Sequence, residues 1–177
     1  MNITGGIYNG RKIKTPDEKI VRPTLSKVRE SVFNVLYSLI GEFTGKSFLD
    51  MFGGSGIMGL EALSRGFGKS VVFEKNRQVA QIIKSNYSVL NLALDLTIGD
   101  SIKLIQKREE NFDVIYIDPP YMSGIYENIL EWIKSDDKTN NSVIILEHVV
   151  ELDFTDFEIL KQKKYSDKYL TFIRKMV

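Results

Sequence analysis

The sequence predicts an α/β protein built on a Rossmann-like, doubly wound and mostly parallel sheet, and three observations predict it. From residue 46 onward, short runs of consecutive apolar residues alternate with stretches of helical periodicity. Strands that are apolar throughout are covered on both faces, as in a parallel sheet sandwiched between helices. The first of these runs leads into a glycine-rich segment, Gly53-Gly54-Ser55-Gly56, where the chain can turn tightly into a helix. The last two strand-like runs, Glu158–Leu160 and Tyr169–Ile173, read as an antiparallel hairpin closing the sheet.

Taken in order, residues 1–20 read as a small β-hairpin, with Asn9-Gly10 as the two-residue turn between Ile3–Tyr8 and Arg11–Lys14. Arg22-Pro23-Thr24 breaks the chain, and Val28, Val32, Val35, Leu36 and Leu39 then recur at helical spacing, which predicts an amphipathic helix over 25–40. Ser47-Phe48-Leu49 is a strand and Gly56–Arg65 a helix. Val71–Glu74 is a strand, followed by a helix over Arg77–Leu90 that carries Val79, Ile82, Ile83 and Leu90 on one side. Leu96-Thr97-Ile98 is a short strand before a helix at Ser101–Arg108, and Val114–Ile117 a strand before a helix at Tyr126–Lys134. Val143–Leu146 is the fifth parallel strand. Residues 1–40 are expected to be an extension packed on a core domain of residues 41–177.

Composition removes several function classes. A chain of 177 residues with 43% apolar and 27% charged residues is an ordinary globular domain. No run approaches the roughly 20 apolar residues of a membrane span. Met1–Gly6 lacks the basic and then apolar pattern of a secretory leader, so a cytoplasmic protein without a membrane partner is expected. The absence of cysteine rules out disulfides and thiolate metal sites. The single histidine, His148, makes a histidine-based zinc site or a Ser-His-Asp triad a poor reading, and no metal is expected. Net charge is +1, yet residues 1–29 carry seven basic groups against two acidic, and residues 161–175 carry six against one. Two basic ends on an acidic body suit a polyanion, although solvated surface segments would look the same. With no coiled-coil pattern or apolar stripe, a monomer is expected.

Ligands of doubly wound folds bind at the carboxyl ends of the strands, so chemistry is sought there. Gly54, Gly56 and Gly59 satisfy G-x-G-x-x-G, a weak signal by itself. Asp50, just before the turn, sharpens it. A carboxylate there repels the pyrophosphate of a dinucleotide and attracts the sulfonium and ammonium of S-adenosylmethionine. Glu74, ending the second strand, can accept from both ribose hydroxyls of either cofactor. Asp100 can accept from an adenine amino group or cap the helix that follows, and the two roles are compatible.

The deciding element is Asp118-Pro119-Pro120-Tyr121, directly after the fourth strand. Two prolines donate no backbone hydrogen bond, so their carbonyls and the Asp118 carboxylate form a set of acceptors that suits an NH2 group. Acceptors on both hydrogens make the delocalised nitrogen of a base more nucleophilic and stabilise the charge that grows as a methyl group arrives. Tyr121 can stack on the base.

These residues resemble class I amino-methyltransferases. Ile3-Thr4-Gly5-Gly6, Gly10-Arg11-Lys12-Ile13, Arg22-Pro23-Thr24, Val28–Asn34 and Leu60–Gly66 are similar to the RsmD family of bacterial small-subunit ribosomal RNA guanine-N2 methyltransferases. The resemblance spans nearly the whole chain, with one departure at Gly53, where the family more often has alanine. It implies S-adenosylmethionine held by Asp50, Phe52, Gly54, Gly56, Glu74, Lys75 and Asp100. It implies Asp118, Pro119 and Tyr121 as the catalytic edge, with Pro120 beside the target guanine. Ribosomal RNA, free or in an assembling small subunit, would meet Arg11, Lys12, Arg22, Thr24 and Arg29. The same tetrad serves adenine-N6 and cytosine-N4 methylation of DNA and, in a related form, glutamine methylation of proteins. The chain leaves little room for a DNA target-recognition domain. A catalytically silent RNA-binding module and an NAD-dependent dehydrogenase are further alternatives, the first opposed by the intact acids and the second by Asp50.

Overall fold

A computed structural model of the chain describes residues 1–17, 24–120 and 124–176. The strands are β1 (Ser47–Asp50), β2 (Lys69–Glu74), β3 (Asp95–Ile98), β4 (Val114–Ile117), β5 (Val143–His148), β6 (Phe157–Tyr165) and β7 (Lys168–Lys175). The helices are α1 (Ser26–Ile40), α2 (Ile57–Ser64), α3 (Arg77–Val89), α4 (Ser101–Lys107) and α5 (Ile125–Ser135), with a short 3-10 turn at Asp137–Thr139.

The described residues form one seven-stranded sheet of order β3-β2-β1-β4-β5-β7-β6. Strands β1 to β5 are parallel, while β7 runs antiparallel to both β5 and β6. Successive residues of a strand face opposite sides, and the two cores divide accordingly. Phe48, Val72, Val114, Tyr116, Ile145 and Phe172 face α1, α2 and α3, burying Phe33, Leu36, Leu60, Ile83 and Tyr87. Leu49, Val71, Phe73, Ile115, Ile144 and Ile173 face α4 and α5, burying Ile105, Ile129, Trp132 and Ile133. Both faces of the sheet are thus covered, as the unbroken apolar runs predict. Among the described residues no helix is long and apolar enough to cross a membrane.

The N-terminal segment departs from the predicted hairpin. Pairing is confined to its base, where Ile3 N donates to Arg11 O (3.0 Å), Gly10 N to Ile3 O (2.9 Å) and Ile13 N to Met1 O (2.9 Å). Residues 4–9 form a wide loop instead of the strand that a two-residue Asn9-Gly10 turn requires. The cause is competition from the end of α2. Ile7 N donates to Ser64 O (2.8 Å), Thr4 N and Oγ1 to Glu61 Oε1 (2.8 Å each), and Tyr8 N to Ser64 Oγ (2.9 Å). Gly6 makes the approach possible, since it sits at φ +75° and a Cβ there would lie 1.8 Å from Ser64 O.

Arg29 belongs to the same junction. It is 1% exposed, its Nε lies 3.1 Å from Glu61 Oε1, and Nη2 donates to Asn2 O (2.7 Å) while Nη1 donates to Thr24 O. Arg65 pairs with the other Glu61 oxygen. The expectation that Arg29 faces RNA is corrected: its guanidinium is used up inside the protein, fastening the N-terminal segment and α1 to α2.

Candidate active site

A cavity of about 930 Å³ opens at the carboxyl ends of β1, β2 and β4 and brings most of the predicted residues together. It is walled by Asp50, Phe52 and Gly54 at the end of β1 and beyond it, Glu74 and Lys75 at the end of β2 and beyond it, Asp100 before α4, and Asp118, Pro119 and Pro120 after β4. Thr24 and the segment Thr15-Pro16 close one side. Arg11 and Lys12 are exposed and do not line it. Arg22 and Tyr121, both named from the sequence, lie outside the described residues.

The turn after β1 explains the glycines. Gly54 and Gly56 sit at φ +53° and +77°, a left-handed conformation that side chains resist. At Gly53 an alanine Cβ would stand 2.4 Å from Val72 Cγ1, so the family's usual alanine would need β2 to shift here. Glu74 holds the turn in place, its Oε2 accepting from Gly54 N (3.0 Å) and its Oε1 from Asn76 N (2.7 Å). Each carboxylate oxygen keeps a further lone pair for a ribose hydroxyl. Asp100 caps α4 by accepting from Lys103 N (3.2 Å), and Lys75 Nζ lies 3.9 Å from its other oxygen.

Asp50 is buried among other acids. Burial at 1% exposure, reinforced by Asp118, Glu74 and Glu147, pushes its carboxyl up to about 8, against the 3.2 Å hydrogen bond from Phe52 N. A buried acid among acids is a site that gains by taking up a cation and loses by taking up a phosphate. The donor set therefore fits the sulfonium and ammonium of S-adenosylmethionine, and the volume lies at the upper end of the roughly 300–1,000 Å³ of ligand pockets, enough for a cofactor and a base.

Two residues of the cleft, Tyr116 and Lys168, carry no motif in the sequence, and both rest on the buried Glu147. Tyr116, two positions before Asp118, donates its hydroxyl to the buried Glu147 of β5, and burial followed by the Glu147 charge pushes that hydroxyl well above the usual tyrosine range. Lys168, the first residue of β7, donates to Glu147 Oε2 (3.0 Å) and lies 4.0 Å from Asp118 Oδ1. The available signal was the antiparallel return of the hairpin, which brings the start of β7 to the edge where parallel strands end. His148, by contrast, is structural. Its Nδ1 donates to Val150 O (2.7 Å), its Nε2 accepts from Thr171 Oγ1 (2.8 Å), and burial lowers its proton affinity.

The cleft and the acceptors at the strand end fit the class to which the chain belongs, the class I S-adenosylmethionine-dependent methyltransferases. The family model described as Conserved hypothetical protein 95 matches residues 1–174. The chain belongs to this family, the RsmD family. Ribosomal RNA small subunit methyltransferase D of Escherichia coli K12 is 33% identical over 135 residues, spanning 74% of this chain and 67% of that protein. The protein of the same name from Buchnera aphidicola of Acyrthosiphon pisum is 33% identical over 153 residues, spanning 82% and 76%. The solved structure of the Escherichia coli protein yhhF superposes with a TM-score of 0.85 at 25% identity, covering 99% of this chain and 97% of that one.

Proposed function

We propose that the protein methylates the N2 amino group of a guanine in small-subunit ribosomal RNA. The observation that carries this reading is that Asp118 and Pro119 line the same cavity as Asp50 and Glu74, so an amino group on the acceptor edge faces the cofactor cleft. The relatives of Escherichia coli and Buchnera, both named for the RNA of the small subunit, support the substrate class.

S-adenosylmethionine, when bound, supplies an electrophilic methyl group whose bond to sulfur breaks with the electron pair left on sulfur. The protein does the rest by binding and orientation. Asp50 balances the cationic end of the cofactor, Glu74 holds the ribose, and Asp100 meets the adenine. Asp118 and the Pro119 carbonyl accept from the two amino hydrogens and steady the positive charge that gathers on nitrogen. Once alkylated, the nitrogen is far more acidic, and its proton leaves to Asp118 or to water. A base buried in a duplex cannot reach this edge, so the target is in a loop or turned out of its stack.

In this reading residues 1–40 are an RNA-facing extension, with Arg11, Lys12 and Arg22 toward phosphates and Thr24 at the cavity rim, and residues 41–177 are the catalytic domain. Tyr121 stacks on the guanine. The protein acts in the cytoplasm as a monomer.

The test is incubation with isotopically labelled S-adenosylmethionine and small subunits lacking base methylation, followed by nucleoside mass spectrometry. Label in N2-methylguanosine is expected, and Asp118→Ala is expected to abolish it while leaving cofactor affinity within a few-fold. Label in another nucleoside, or an active Asp118→Ala, would refute the reading.

A further inference from the structure

Asp118 stands among other carboxyl groups. Asp50 reaches the cavity from β1 and Glu74 from β2, while Glu147 of β5 is buried behind it, hydrogen-bonded to the Tyr116 hydroxyl of β4. Lys168 enters this group from β7. Its ammonium donates to Glu147 Oε2 at 3.0 Å and lies 4.0 Å from Asp118 Oδ1. The pairing of β5 with β7, in which His148 faces Tyr169, sets Lys168 just beyond the last paired residue and at the cavity wall. The Lys168 and Asp118 side chains are only 17% and 20% exposed, so solvent screens the attraction weakly. Glu147, 2% exposed and held by Tyr116 on its other oxygen, cannot swing away and fixes where the ammonium sits.

We propose that Lys168 is a positioning residue, its ammonium anchored on Glu147 so as to keep the Asp118 carboxylate ionised and turned toward the target amino group. This rests on Asp118 being the acceptor proposed above. An acceptor role needs the carboxylate form, since a protonated acid offers a donor to a nitrogen that already carries two hydrogens. An ammonium 4.0 Å away favours that carboxylate form, and Lys168 supplies it.

The experiment measures kcat against pH at saturating S-adenosylmethionine, with unmethylated small subunits, for wild type, Lys168→Gln, Lys168→Arg and Asp118→Ala. Glutamine keeps a donor for the buried Glu147 but removes the charge, and a thermal shift with S-adenosylhomocysteine verifies that each variant is folded. Removing an opposite charge at this range moves a carboxyl by about 1–3 units. The acid limb of kcat is therefore expected to rise by at least one pH unit in Lys168→Gln, with KM for the RNA within about two-fold. Lys168→Arg is expected to keep the limb at the wild-type position. An unmoved limb in Lys168→Gln, a loss confined to KM, or a limb displaced equally in Lys168→Arg would overturn the proposal. Turnover by Asp118→Ala would instead remove the premise, so the two failures are separable.

Discussion

The raised proton affinity of Asp50 makes cofactor affinity depend on pH. In the ligand-free protein the carboxyl is pushed up to about 8, so near pH 6 it is overwhelmingly protonated and presents no charge to a cation. Below about pH 8 each unit of acidification adds about 1.4 kcal/mol to the work of ionising it, which is a tenfold change in affinity if the bound state requires the carboxylate. S-adenosylhomocysteine binding, followed by isothermal titration calorimetry, is expected to strengthen from pH 6 toward pH 8 with uptake of the ligand accompanied by proton release. The amino group of the ligand titrates too, so Asp50→Asn supplies the control. Wild type and variant are expected to bind within a few-fold of each other at pH 6 and to separate by at least tenfold by pH 8. The same linkage acts on folding with a fixed sign. The folded state binds the Asp50 proton more tightly than the unfolded chain, so stability from this group is present below about pH 4 and is lost as pH rises toward 8. Asp50→Asn is thus expected to raise the melting temperature of the ligand-free protein more at pH 8 than at pH 5. Equal pH dependence in wild type and variant would refute the reasoning.

The N-terminal segment supports two more tests. Arg29→Met leaves Glu61 buried with one partner fewer, and breaking such a pair is expected to cost about 3–5 kcal/mol in urea unfolding, with no change in the salt dependence of RNA binding by the folded fraction. Replacing both exposed residues Arg11 and Lys12 by alanine is expected to weaken RNA binding across sequences. It should also lower the slope of log K against log salt by about one for each phosphate no longer neutralised, with unchanged stability.

The sheet was legible in the sequence because its strands are buried on both faces and so write themselves as apolar runs; β1, β2, β4 and β5 and the helices between them fall within a few residues of expectation. The cofactor edge was legible for a related reason. Asp50 and Glu74 end β1 and β2, Asp100 and Asp118 come within two residues of the ends of β3 and β4, and strand order sends all four to one rim. What local pattern could not show is what depends on partners distant in the chain. Arg29 looks like any basic residue at a helix start until Glu61, 32 positions away, is brought against it. Asn9-Gly10 is a good turn signal, overridden because α2 ends in polar groups that draw residues 4–8 outward. Lys168 sits in a run of lysines that reads as surface charge, and only the antiparallel docking of β7 sets it apart from its neighbours.

The insertion of β7 between β5 and β6 also makes the two halves of the cleft depend on different spans of the chain. The half proposed to bind the cofactor, β1 to β3, is built from pairings close in sequence, the kind that form fastest. The acceptor half is finished only when the last strand slots against β5 and delivers Lys168 to Glu147. In a refolding time course, affinity for S-adenosylhomocysteine should therefore return ahead of methyl transfer, leaving an interval in which the chain holds its ligand and does nothing with it.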